Sequence, residues 1–428
     1  MLKNLQSNVD EFGFSVSIAV RRVCGSPAVV PWLRASAAAL TGALLSAPVA
    51  AQLPDTVRPF VSVGVTRDDN LFRLSEEDQA AVAYAADTSR NAMAGIEVEL
   101  PLGRQVFSTT AKVSRVTFEH NDQFNYTGKD IKGDLRWMLG NHLDGRVGGA
   151  YEQVLAPFSD YHNTGERNLR TVRRQFIDGK WRFHPSWRVR AGYNEDRFNY
   201  ELTTQRFNER TEKAVMAGAD FLATSGSTIG LQFRRLKTNY PFQDSLGLTQ
   251  NGYTQDEQKI NILWLATGTT QVTFLGGLVQ RKHPFYTERD DSGTNGRLIV
   301  SSSPDPRLQL TGQLYREYGS AEGALINSAL IKGAQLNANW ELTAKIQATA
   351  NLKHEEREFS PFTDAGLALP RSQLTDRNNL LTAGLTYSPL RNISLQLSVF
   401  QDRRSGSVAA GTNTYKAKGA SFNATVQF

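Results

Sequence analysis

Basic side chains recur at even spacings along the chain, as in Lys132 and Arg136, Lys180 and Arg182, and Arg188 and Arg190. Arg174, Arg234, Lys345 and Lys353 extend the set, and Asp130, Asp134, Glu152 and Asp178 are interleaved with it. On an extended strand successive side chains point to opposite faces, so even spacing collects these groups on one face. Guanidinium groups pair with carboxylate or phosphate while staying hydrated, so such a face could guide an anionic polymer by many weak contacts. The plainer alternative is that opposite charges on neighbouring strands satisfy one another, and for any single arginine it is the stronger one. A net charge of +6 is too small to choose between them. The adjacent pairs Arg281-Lys282 and Arg403-Arg404 are expected at an outer rim, against lipopolysaccharide phosphates.

Other chemistry finds little support. His142 and His184 sit at short turns, and His120, His162, His283 and His354 sit in or beside separate long loops. None belongs to a nucleophile motif, and a serine, histidine and orienting group would have to converge for hydrolysis. His354-Glu355-Glu356 has the residue types of a metal site, but neighbours on a strand face opposite ways. The single cysteine, Cys24, lies in a segment expected to be removed, which excludes thiol chemistry in the mature chain. No catalytic residue, cofactor or metal is expected, and no phosphate-cradling loop or basic-aromatic pattern points to nucleic acid.

The elements that must position the charged face are strands. In 130–139, Ile131, Gly133, Leu135, Trp137 and Leu139 oppose Asp130, Lys132, Asp134, Arg136 and Met138. In 344–353, Ala344, Ile346, Ala348, Ala350 and Leu352 oppose Lys345, Gln347, Thr349, Asn351 and Lys353. One face is suited to lipid and the other to a watery lumen. The chain closes on Ala420–Phe428 with the same alternation, and Phe422, Val426 and the terminal Phe428 read as a strand recognised by barrel-assembly machinery. Mean hydropathy is −0.39 with 21% charged residues, too polar for helical spans of about 20 apolar residues but ordinary for strands apolar at every second position.

Turn-forming residues mark eight tight connections, at 101–103, 140–145, 184–186, 224–227, 267–269, 303–306, 339–341 and 388–391. They alternate with nine longer polar stretches, including 67–89, 156–169 and 358–375. This predicts an all-β transmembrane antiparallel barrel of about eighteen strands (16–18), with short periplasmic turns and longer extracellular loops. Trp137, Trp181, Trp187, Trp264 and Trp340 cluster near the short turns and should form a periplasmic aromatic girdle. Tyr126, Tyr200, Tyr240, Tyr253, Tyr286, Tyr318 and Tyr415 are expected to form the outer one.

Residues 1–51 read as an N-terminal extension and signal peptide, with an apolar run at 35–45 and small residues before Gln52; 52–428 is then the barrel. The first strand, around Arg58–Thr66, is expected to start soon after cleavage, without an N-terminal plug or a periplasmic domain. A loop folded inward is then the remaining way to narrow the lumen, and 67–89, 156–169 and 358–375 are long enough.

Arg58 to Leu74, a first strand running into Asp68-Asp69-Asn70-Leu71-Phe72-Arg73, resembles the opening of the EpsL-like outer-membrane proteins linked to exosortase exopolysaccharide operons. That resemblance implies a role in exopolysaccharide export or biosynthesis, with separate periplasmic export proteins as partners. Asp68-Asp69-Asn70 could be a ligand site, although a strand-end turn is the simpler reading. The expectation is an integral outer-membrane channel, surrounded by lipid and lipopolysaccharide, that handles a polar or anionic exopolysaccharide. A general or anion-preferring porin, and a structural or adhesive barrel that binds surface polysaccharide, are the alternatives.

Overall fold

The computed structural model describes residues 56–159, 165–242, 252–284, 290–320, 326–361 and 374–428. The expected signal segment, Cys24, His162 and Tyr286 lie outside them. Eighteen strands follow one another: β1 (Val57–Asp68), β2 (Asp87–Leu102), β3 (Gln105–Phe118), β4 (Tyr126–Leu139), β5 (Leu143–Leu155) and β6 (Leu169–His184). Next come β7 (Trp187–Tyr200), β8 (Arg210–Leu222), β9 (Thr228–Asn239), β10 (Tyr253–Leu265), β11 (Thr270–Lys282) and β12 (Asp291–Asp305). The last six are β13 (Leu308–Ser320), β14 (Ile326–Thr343), β15 (Ile346–Pro361), β16 (Thr375–Leu390), β17 (Ile393–Ser405) and β18 (Tyr415–Gln427).

Each strand pairs antiparallel with its chain neighbours, and β1 pairs with β18 from Phe60↔Gln427 to Asp68↔Gly419, so the sheet closes on itself. Closure leaves no unpaired edge, which is the condition for a sheet to span lipid. Period-2 alternation decides the two faces. Val61, Ile131, Ile177, Val215, Leu231 and Leu336 are outward and exposed, whereas the residues between them turn inward. This apolar outer wall on a closed barrel makes the chain an integral outer-membrane protein.

The short turns occur where expected, with one displacement. β14 runs on to Thr343, so the turn there is Ala344-Lys345 rather than 339–341, and Thr343 Oγ1 accepts from the amides of Lys345 and Ile346 at 3.2 and 3.0 Å. Lys345 therefore belongs to a turn and not to the lumen wall: Asn339, Trp340 and Glu341 keep the inward–outward alternation and pair with Thr349, Ala348 and Gln347, so the strand runs on past them. Gly103 and Gly140, at φ 65° and 60°, supply the left-handed residue of two other turns. All five tryptophans occupy outward positions close to the short-turn end.

The tyrosines behave differently from expectation. Tyr200, Tyr240, Tyr253 and Tyr415 are buried inside the loop-side mouth instead of facing lipid, and the three on strands share the inward parity of Asp196, Glu257 and Ala417. Buried phenols need partners. Tyr253 shares a hydrogen bond with Ser320 Oγ at 2.9 Å, and the Tyr415 hydroxyl donates to Asp402 at 3.2 Å. The expected basic rim splits in the same way. Lys282 and Arg403 face out, but Arg281 and Arg404 are inward and buried, since adjacent strand positions cannot share a face.

Candidate functional site: the lumen and its loop-side mouth

The lumen is built from inward-facing side chains, and the first of its features is the segment that follows β1. Asp68 Oδ1 accepts from the amide of Asn70 at 3.0 Å, and the Asn70 carboxamide donates to the carbonyls of Leu74 and Lys416 at 2.8 and 3.0 Å. Leu74 donates back to Asn70 Oδ1 at 3.0 Å, and Lys418 donates its amide to Asp69 Oδ1 at 2.6 Å. These bonds wind residues 69–74 into a tight coil held to β18. Arg73 sits within it at φ 58°, fully buried, gripping Asp68 through two bonds of 2.8 Å and facing Asp402 at 3.6 Å. Burial alone would pull the Arg73 guanidinium down, but the Asp68 carboxylate beside it outweighs that and holds it above its ordinary value. The Asp-Asp-Asn stretch is thus a structured turn, its polar groups engaged with the backbone and with Arg73.

The coil presents Leu71, Phe72 and Leu74 to the inside. Phe72 packs edge-on against Phe124 and Phe158 with ring centroids 5.5 and 5.0 Å away, and Phe124 meets Phe158 at 5.1 Å. Phe72, Phe124 and Phe158 are 2%, 0% and 3% exposed, so three successive loops share one small core inside the mouth. The loop after β5 also reaches Arg404 on β17, which donates to the carbonyl of Ser159 at 2.7 Å. β1 to β4 and β18 lie between β5 and β17, so this bond is a chord across the opening. A second chord joins β8 to β13, where Ser320 Oγ donates to Glu212 at 3.0 Å. There Tyr240 packs with Ala214, Leu236 and Tyr253, and burial lifts its phenol above the ordinary value. Two of the expected loops, after β1 and after β5, do fold inward; the third, 358–375, lies largely outside the described residues.

Below the mouth the wall has two chemistries. From β3 to β10 it carries ion pairs that step from strand to strand. Lys112 meets Asp130 at 2.6 Å, Arg146 meets Asp178 at 3.2 Å, and Arg174 meets Asp196 at 2.7 Å. Arg188 and Arg190 share the buried Asp220 at 2.7 and 3.3 Å, and Arg234 and Lys259 share Glu257 at 3.0 and 2.7 Å. Arg190 also donates to Gln232 and Asn261 at 3.0 and 2.7 Å. Outside that run, Lys353 meets Glu355 on β15 at 2.6 Å. Lys132, Asp134, Lys180 and Arg182 hold inward positions nearer the short turns, where Arg136 approaches Glu99 at 3.7 Å.

From β13 to β18 the ion pairs, among them Lys353 with Glu355 and Arg357 with Asp376, lie from mid-strand toward the loops, and nearer the short turns the wall carries uncharged rows. Ser301, Thr311, Asn337, Asn351 and Thr382 are register partners in one inward row. Gln347, Thr386, Gln396 and Asn423 form another. Asn351 donates to Asn337 Oδ1, and so does Gln335, at 3.3 Å in the latter case. A carboxamide offers two donors besides its acceptor oxygen, so this wall can both give and receive hydrogen bonds.

Evenly spaced arginines were legible in the sequence, but their partners Asp196, Asp220 and Glu257 were not singled out. Their even spacing on β7, β8 and β10 was the available signal. Phe72, Phe124 and Phe158 had no such signal, because they stand in three separate loops. His354 faces outward and bonds Asn379 Oδ1 at 2.8 Å, away from Glu355, which turns inward. Among the described residues no group of three or more histidine, cysteine, aspartate or glutamate side chains is arranged to hold a metal ion.

No protein-family model and no curated protein matches the chain. Solved structures with a similar course include the outer membrane protein OpdK of Pseudomonas aeruginosa, at 10% identity over 88% of this chain and 100% of that one, with a TM-score of 0.44. OprD of the same organism gives 9% identity over 89% and 97%, again at 0.44. The siderophore receptor PirA, also from Pseudomonas aeruginosa, gives 11% over 88% and 81%, at 0.39.

Proposed function

We propose that this barrel is a porin-like diffusion channel for small polar solutes, and that it favours uncharged, hydroxyl-bearing molecules over ions of similar size. The carrying observation is the divided wall. The charges on β3 to β10 are spent largely on one another, which supports the plainer of the two readings of those arginines. An ion gains little there, and it gains less from the amide and hydroxyl rows opposite. A neutral polyhydroxylated solute exchanges its water for like hydrogen bonds along those rows without desolvating a charge.

The exopolysaccharide role implied by the resemblance of residues 58–74 has less support. In this structure those residues coil inward and pack Phe72 against Phe124 and Phe158, taking up space inside the mouth that a polymer would need. Proteoliposome swelling tests the reading: small neutral sugars should enter faster than zwitterions or anions of matched size. Entry ranked by charge, with anions fastest, would return the anion-preferring porin, and no entry of any solute would favour a structural barrel.

A further inference from the structure

On the membrane-facing wall, two neighbouring rows of outward residues form a trough of about 700 Å³. One row runs Val300, Gly312, Leu336, Leu352, Leu381 and Gln401, by successive register pairs from β12 to β17. Beside it Leu298, Leu314 and Ala334 continue into His354, Asn379 and Arg403. Gly312 and Ala334 put almost no side chain into the centre of this surface while leucines rise around them, which makes it concave. The volume falls within the range of about 300–1,000 Å³ that holds a ligand.

The trough climbs as it goes round the wall. Its apolar start, Leu298, is seven residues inside the loop-side end of β12 at Asp291, whereas Arg403 is two residues inside that of β17 at Ser405. At about 3.3 Å per residue this takes the trough from the depth of lipid chains to the polar rim. Outward positions beside its upper end carry Arg377, Lys416 and Lys418 as well as Arg403, against Glu356 and Glu76, which pair with Arg377 and Lys416 at 2.7 and 2.8 Å. A hollow in a lipid-facing wall forfeits packing unless a chain fills it, and a rim with surplus cations matches phosphate.

We infer that this trough is a binding site for a phosphorylated acyl glycolipid of the loop-side leaflet, of the lipid A kind. One acyl chain lies against Gly312 and Ala334, and a headgroup phosphate lies at Arg403. The excess of cations at the rim argues for an anionic lipid over a second copy of the chain, whose equivalent rim would bring like charges together.

Native mass spectrometry of the detergent-solubilised full barrel, titrated with bis-phosphorylated lipid A, tests this. Dephosphorylated lipid A and phosphatidylglycerol serve as the other arms. The wild type should keep lipid A adducts at detergent levels that strip the other two. Ala334→Trp, which fills the trough, and Arg403→Gln should each lower retention severalfold, and Val215→Trp on the far outer wall should not. Folding of every variant is checked by resistance to unfolding on an unboiled gel. Equal retention in all three variants, or phosphatidylglycerol held as firmly as lipid A, overturns the proposal. So does a dimer mass that Ala334→Trp abolishes, which would make the trough a contact between copies.

Discussion

At the short-turn end the strands are joined by two to five residues, the wall side chains stand in water, and tryptophans face outward at 45–55% exposure at four of five positions. At the loop end the same wall disappears beneath aromatic and arginine side chains, and bonds run between strands that are not neighbours. Arg73 faces Asp402 across β18, Arg404 reaches Ser159, and Glu212 reaches Ser320. One barrel therefore carries two kinds of order. The first comes from alternation and turn chemistry and holds at every strand. The second comes from contacts between residues remote in sequence, and these bring side chains over the loop-side opening.

Removing the aromatic core should blur this difference most. Phe72→Ala with Phe124→Ala deletes two buried rings, each deletion costing about 3–5 kcal/mol of packing. Single-channel conductance should rise severalfold, while the barrel still folds on its strand pairing. Breaking the polar anchor should come next. Asp68→Asn leaves the buried Arg73 guanidinium without its main partner, a loss of about 3–5 kcal/mol for a buried pair. The loop after β1 should become the first site of limited proteolysis, and conductance should flicker between levels.

How much of this could be read beforehand follows the same division. Strand number, the inward arginines and the outward tryptophans follow from period-2 spacing, a property each strand carries alone. The tyrosines go to the other surface because strand ends alone do not choose a face, whereas parity does: Tyr200 shares the parity of Arg188 and Arg190, and Tyr253 that of Glu257 and Lys259. Lys345 was misplaced for a local reason, since Asn339, Trp340 and Glu341 keep the alternation and the strand runs on past the assigned turn. The opening segment was recognisable as a motif, but its role depends on Phe124, Phe158, Asp402 and Lys416, far along the chain.

Smaller effects should sharpen the contrast within the wall. Asp220→Asn releases both Arg188 and Arg190 from one carboxylate, so the reversal potential in a salt gradient should move toward anion selectivity. Asn337→Asp places a charge in the uncharged row and should slow sugar entry while moving selectivity toward cations. The smallest change is expected from Trp264→Ala at the short-turn end, which should leave conductance unaltered and reduce only quenching of fluorescence by brominated lipid.

The most direct test of the central claim, that the loop end sets the width of the passage, is polymer partitioning into single channels from each side separately. Neutral polyethylene glycols of graded size should enter from the short-turn side and lower the conductance at sizes that have no effect from the loop side. The same size cut-off from both sides would contradict the account.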